Sequence, residues 1–165
     1  MLHKVNIAGM TMDPASNTPI IILKSEKDDH AIPIWIGLLE ATSIASALQS
    51  IQFERPMTHD LFKNFVELLN MSVVQVDVCD LKENTYYARI HFSHGDRTFD
   101  MDARPSDAIA IALRFGAPIF VDDRVIEKSK SSESPGEAVD NSEEGKKWAE
   151  YLEKLSPEDF GKYKV

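Results

Sequence analysis

The sequence predicts an α+β domain in which strands and helices follow one another in two similar runs. Residues 3–12, 19–25 and 31–36 are β-rich, and apolar residues recur at every second position over segments within 72–81, 85–92 and 97–103. After each set of three the period lengthens to that of a helix. The two helices share a pattern, Glu40-Ala41-x-x-Ile44-Ala45 against Asp107-Ala108-x-x-Ile111-Ala112, which suggests that the two strand-strand-strand-helix units are related.

The first three strands are separated by the turn clusters DPASNT and EKDDH, and in the third Ile32, Ile34 and Ile36 alternate with Pro33 and Trp35. From Gly37 onward, Leu38, Ala41, Ile44, Ala45, Leu48 and Ile51 fit one helical face. The segment ERPMTHD interrupts it, Thr58 offers an N-cap, and Leu61, Phe62, Phe65, Leu68 and Leu69 form a second helical stripe. In the second unit the expected inward faces are Val74, Val76 and Val78, then Tyr86, Ala88, Ile90 and Phe92, then Phe99, Met101 and Ala103. KEN and SHGD are hairpin material. SDAIAIALRF is apolar nearly all round and reads as a buried helix, APIFV as a short strand, and DDRVIEK as the start of a last short helix.

These elements place one domain over residues 1–128. Residues 129–142, rich in Ser, Glu, Pro and Gly, read as a flexible linker. Residues 143–165 read as a helical tail whose stripe of Trp148, Tyr151, Leu152 and Leu155 must dock on the body or on another subunit. That stripe and Trp35 together imply a homo-oligomer, expected to be a dimer.

The 165 residues carry a net charge of −9, which argues against a nucleic-acid coat protein, since such binding relies on a basic surface. The body has 12 basic against 18 acidic residues and the remainder 6 against 9, so neither part holds a basic arm. With Cys79 as the single cysteine an intrachain disulfide is impossible, and no signal-like or membrane-spanning apolar run occurs, so a cytoplasmic location is expected.

Two clusters could carry chemistry. In ERPMTHD, Glu54, Arg55, Thr58, His59 and Asp60 gather at a helix entrance, where free N–H groups and an arginine make a phosphate seat and His59 could move a proton. The same residues have a structural reading: Thr58 caps, Asp60 complements the dipole and Arg55 pairs with an acid. In DMDARPSDA, Asp100, Asp102 and Arg104 lie opposite Phe99 and Met101, with Asp107 in the first turn of the helix. Such carboxylates beside a guanidinium could hold a divalent cation and orient a phosphodiester, or Arg104 could bridge Asp102 and Asp107 to fix the corner. His91 and His94 imply no third ligand, and no P-loop, CxxC pair, HExxH or GxSxG is present.

PIWIGLLEA (33–41), RPMTHDL (55–61), DARPSDAIAIALR (102–114) and APIFV (117–121) resemble the bifunctional nuclease family, long catalogued in bacteria as a domain of unknown function. The closing WAEYLEKLSPEDFGKYK resembles the tail of many bacterial members. The resemblance implies an α+β domain with a barrel-like mixed or antiparallel sheet built from two strand-and-helix repeats. It also implies nuclease activity on DNA and RNA, an activity that belongs chiefly to plant members. Glu40, Arg55, Thr58, His59, Asp60, Asp102, Arg104, Ser106 and Asp107 fall on the family's signature positions.

Phosphodiester hydrolysis needs an activated water and neutralised phosphoryl charge. On that chemistry Asp102, Asp107, Asp60 and Glu40 are expected to position a divalent metal, Mg²⁺ or Mn²⁺. Arg55 and Arg104, with Thr58 and Ser106, are expected to hold phosphate, and His59 to act as general acid or base. The substrate is expected to be single-stranded or flexible nucleic acid, because an acidic chain without a groove-reading helix must capture one phosphate locally. The alternatives are a non-catalytic regulatory module that binds an anionic ligand or a protein partner, and a purely structural role. The functional readings require Glu40, His59, Asp60, Asp102, Arg104 and Asp107 to converge.

Overall fold

The computed structural model describes residues 1–27 and 30–131. The chain runs β1 (Leu2–Asp13), β2 (Thr18–Ser25), β3 (Ala31–Trp35), α1 (Leu38–Leu48), α2 (Thr58–Leu68), β4 (Ser72–Lys82), β5 (Thr85–His94), β6 (Arg97–Ala103), α3 (Pro105–Phe115), β7 (Ile119–Asp122) and α4 (Asp123–Ser131). The expected linker therefore starts inside α4, because Ser129 is buried and its hydroxyl donates to the Ile126 carbonyl. The rest of that segment and the tail stripe lie outside the described residues.

The seven strands form one mixed sheet in the order β3-β2-β1-β7-β4-β5-β6. Each run of three strands is an antiparallel meander, and β7 joins them by pairing antiparallel with β1 and parallel with β4. Both meanders place their third strand outermost and follow it with a helix, so the repeat read from the sequence is repeated in topology. The hydrogen-bonded ladder does not close on itself. It is an open sheet with β3 and β6 as edges, where a barrel-like closure was expected.

Register assigns each residue to a face, since directly paired residues point the same way. One row across the sheet reads Val5, Ile119, Val76, Ile90 and Met101, and the neighbouring row on the other face reads Lys4, Phe120, Asp77, Arg89 and Asp102. The first face carries the core. Ile21, Leu23, Ile32, Ile34, Val76, Val78 and Ile90 pack there with Ala41, Ile44, Ile109, Ala112 and Val125 from the helices. Helices α1 and α3 pack against each other, and their buried residues include Ala41, Ile44 and Ala45 in α1 and Ala108, Ile111 and Ala112 in α3, small side chains that suit a close approach.

Three expectations about local faces are corrected. In β4, bulges beside Val73 and Val78 turn Val73 inward and leave Val74 exposed, so the inward set is Val73, Val76, Val78 and Leu81. In α2 only Val66 is buried, with Phe62 packed beside it, while Leu61, Phe65, Leu68 and Leu69 are exposed. In β6 Phe99 and Met101 are exposed because an edge strand has a neighbour on one side only. The β5 face of Tyr86, Ala88, Ile90 and Phe92 is as expected.

Candidate functional site

The three helices α1, α2 and α3 each carry an acid at the third helical position: Glu40, Asp60 and Asp107. A carboxylate there faces the positive end of the helix dipole, which explains the local preference. The fold then brings the three helix entrances together, and two arginines of the α3 segment link them.

Arg104 is the N-cap residue of α3, held in extended backbone where β6 ends, and Pro105 follows at the first helical position. Its Nε donates to Asp107 Oδ2 at 2.8 Å and its Nη2 pairs with Glu40 Oε1 at 2.8 Å. One guanidinium therefore bridges the equivalent acids of the two repeats. It remains 66% exposed, and Nη1 has no protein partner among the described residues. Gly37 makes room for this bridge, because a Cβ at that position would lie 2.1 Å from Glu40 Oε2.

Asp107 is also tied to α2. Its Oδ1 lies 3.0 Å from His59 Nε2, and His59 Nδ1 lies 2.7 Å from Ser43 Oγ on α1. Burial pushes the Asp107 carboxyl up, but hydrogen bonds from Arg104 and His59 outweigh it and hold the group below its ordinary value. The result is one connected chain, Glu40 to Arg104 to Asp107 to His59 to Ser43.

The second arginine is Arg114, at the other end of α3 and only 7% exposed. Its Nε donates to Asp60 Oδ1 at 2.6 Å, and Nη1 and Nη2 each reach the Ser43 carbonyl at 3.3 Å. Asp60 Oδ2 in turn accepts the Met57 N–H at 3.0 Å. Met57, not Thr58, is thus the N-cap residue of α2, and Thr58 is the first residue of the helix. Asp60, at the third helical position, reaches back to accept the N-cap N–H, which is the reciprocal half of a capping box.

Glu40, His59, Asp60, Arg104 and Asp107 therefore converge as expected, and Asp102 does not join them. It pairs with Arg89 in register, on the sheet face that also carries Asp100, which forms an ion pair with Arg89. That face is opposite the one covered by the helices. Arg55 and Thr58 are exposed, and Ser106 is buried at the second position of α3. His91 binds Asp77 Oδ2 at 2.6 Å on the far face.

Ser43 and Arg114 were not singled out from the sequence, although spacing held a signal for both. Ser43 lies three residues after Glu40 and Arg114 seven after Asp107, so each shares a helical face with a residue that was singled out.

The expected metal was assigned to Asp102, Asp107 and Asp60 together with Glu40, and these donors do not form one cage. Asp107 and Glu40 face Arg104, Asp60 faces Arg114, and Asp102 is on the other side of the sheet. Among the described residues no group of three or more His, Cys, Asp or Glu side chains is placed to hold a metal ion. The arrangement fits arginine bridges and does not fit a divalent cation.

The bifunctional nuclease domain model matches residues 21–134, which takes in the whole network. An uncharacterised protein of Mycobacterium tuberculosis is 37% identical over 96% of this chain and 98% of its own length. Bifunctional nuclease 1 of Arabidopsis thaliana is 33% identical over 74% of the chain, and bifunctional nuclease 1 of Oryza sativa subsp. japonica 28% identical over 68%. The matches cover 41% and 35% of those plant proteins. No helix among the described residues is long and apolar enough to cross a membrane. The match spans both motif segments and every element from β3 to α4, and the chain belongs to the bifunctional nuclease domain family.

Proposed function

We propose that this protein hydrolyses phosphodiester bonds in single-stranded or flexible nucleic acid. The observation that carries the reading is the exposed Arg104 guanidinium, joined through Asp107 to a histidine. Two carboxylates hold the fork flat and leave Nη1 and one Nη2 hydrogen to take a non-bridging phosphate oxygen. His59, oriented by Asp107, is the group of the same network that can transfer a proton. The plant relatives named bifunctional nucleases support the substrate class. With a net charge of −9, capture depends on local donors, so binding weakens steeply with salt only as far as those few contacts require.

A second reading has its own support. Arg104 is already compensated by two acids, as in a corner that only fixes structure or binds an anion without turnover. One assay separates the two. Purified protein is incubated with a labelled single-stranded oligonucleotide, with chelator and with added Mg²⁺ or Mn²⁺, beside Arg104→Lys and His59→Gln variants. Cleavage that falls at least ten-fold in both variants supports hydrolysis. Binding without cleavage in every condition supports the regulatory module. Asp102→Asn is expected to cleave within about two-fold of the parent, because its side chain lies across the sheet from the network; complete loss would return Asp102 to the site.

A further inference from the structure

Both ring nitrogens of His59 are engaged inside the protein, and this decides how the histidine can reach a substrate. Asp107 Oδ1 is 3.0 Å from Nε2, and a carboxylate only accepts, so Nε2 carries the hydrogen in the neutral ring. Nδ1 is then the bare nitrogen. Its neighbour at 2.7 Å is Ser43 Oγ, so the serine hydroxyl donates its proton to Nδ1. No imidazole nitrogen is left to face a ligand, and the outward end of the chain is an oxygen.

We propose that Ser43 is a nucleophile for phosphoryl groups, with His59 as its general base and Asp107 holding the base in the required tautomer. The order acid, imidazole, hydroxyl is that of a base-activated serine, with Asp107 on Nε2 and Ser43 on Nδ1. In the first step Ser43 Oγ bonds to phosphorus while its proton passes to His59 Nδ1; the leaving oxygen departs with the electron pair of its bond to phosphorus and takes that proton from Nδ1, which returns the ring to its neutral form. The imidazolium formed lies against the Asp107 carboxylate, which compensates its charge. In the second step water gives a proton to Nδ1 and attacks the phosphoserine; the bond between phosphorus and Oγ breaks with its electron pair going to Oγ, which takes the proton back from Nδ1.

The surroundings suit this role. Ser43 is half-buried, one helical turn after Glu40, which binds the exposed Arg104. A phosphate on Arg104 therefore lies along the same face of α1 as Oγ. The Ser43 main chain is pinned by both Arg114 terminal nitrogens and by the Ser46 hydroxyl, at 2.8 Å from the same carbonyl.

The inference takes its electrophile from the phosphodiester reading of this site, and the test is chosen to separate the two. The full chain is treated with diisopropyl fluorophosphate, in which the leaving group is fluoride, and the adduct is located by mass spectrometry of peptides. Labelling on Ser43 is expected, absent in Ser43→Ala and slowed at least ten-fold in His59→Gln and Asp107→Asn. Asp100→Asn on the far face should label at the parent rate. Far-UV circular dichroism and a thermal melt accompany each variant, so that lost labelling is read only in folded protein. An unlabelled Ser43 in the folded parent, or labelling at the parent rate in folded His59→Gln, overturns the assignment. Labelling without cleavage of any oligonucleotide keeps the nucleophile and removes the nuclease reading. Cleavage without labelling does the reverse.

Discussion

Gly37 shows how closely the site depends on single atoms. A methyl group there would meet the Glu40 carboxylate at 2.1 Å, and the carboxylate, as the end of a flexible side chain, can rotate away. Gly37→Ala is therefore expected to change stability by less than about 1 kcal/mol, since the Arg104 pair it disturbs is largely exposed. It should still reduce any Arg104-dependent binding or turnover several-fold; an oligonucleotide titration beside a thermal melt checks both halves. Asp107 makes a prediction with a sign. Its folded value is depressed, so its contribution to stability is present above the ordinary carboxylate range and lost as the pH falls through the folded value, below roughly pH 4. Urea unfolding of the parent and Asp107→Asn should differ at pH 7 and converge towards pH 3. A gap that stays constant with pH would mean that ionisation of Asp107 is not what stabilises the corner.

At the scale of elements, α3 organises the molecule. Its first turn carries Asp107, its centre packs Ile109 and Ala112 into the core with no exposure, and its last turn carries Arg114. The Arg114 brace ties α3 to α2 through Asp60 and to α1 through the Ser43 carbonyl. Arg114→Met keeps the apolar stem and removes every donor. It should cost about 2–3 kcal/mol, because Asp60 loses its guanidinium and keeps only the Met57 N–H, and the Ser43 carbonyl is left with the Ser46 hydroxyl; the loss should appear as a lower urea midpoint with unchanged slope. The α1 and α3 seam is tight for a different reason. Ala45 and Ala112 leave no space for branched side chains, so Ala112→Leu should destabilise by about 1–3 kcal/mol through overpacking, measured in the same way. Neutral behaviour would show that the seam can open without penalty.

At the scale of the whole molecule, apolar surface remains uncovered among the described residues. Leu61, Phe65, Leu68 and Leu69 share one side of α2, and Phe99 and Met101 lie on the edge strand β6. The homo-dimer expected from Trp35 and the tail gains a second apolar surface from this stripe, although Trp35 itself is engaged by Asp13 Oδ2 at 2.9 Å. Light scattering at tens of micromolar is expected to report twice the chain mass of 18.6 kDa, and Phe65→Asp with Leu68→Asp to return it to one. A parent protein that scatters as a single chain at that concentration retires the dimer.

What the residues determine alone is local. β-rich runs between turn clusters, with alternation in β3 and the second meander, placed all three strands of each meander, the change of period placed α1, α2 and α3, and the acids at Glu40, Asp60 and Asp107 were legible as first-turn residues because helix geometry and its dipole act within a few positions. The resemblance of RPMTHDL and DARPSDAIAIALR added that these segments belong together, and they do meet. Tertiary structure decided the rest, because pairing register and bulges depend on partners distant in the chain. The bulges of β4 turned Val73 in and Val74 out, and the register of β6 with β5 sent Asp102 to the far face while Arg104, two residues on, turned into the corner with Asp107. Ser43 and Arg114 became part of the site only through packing. Neither stands out in its own helix, and each matters because α1, α2 and α3 crowd their entrances around one small set of charges.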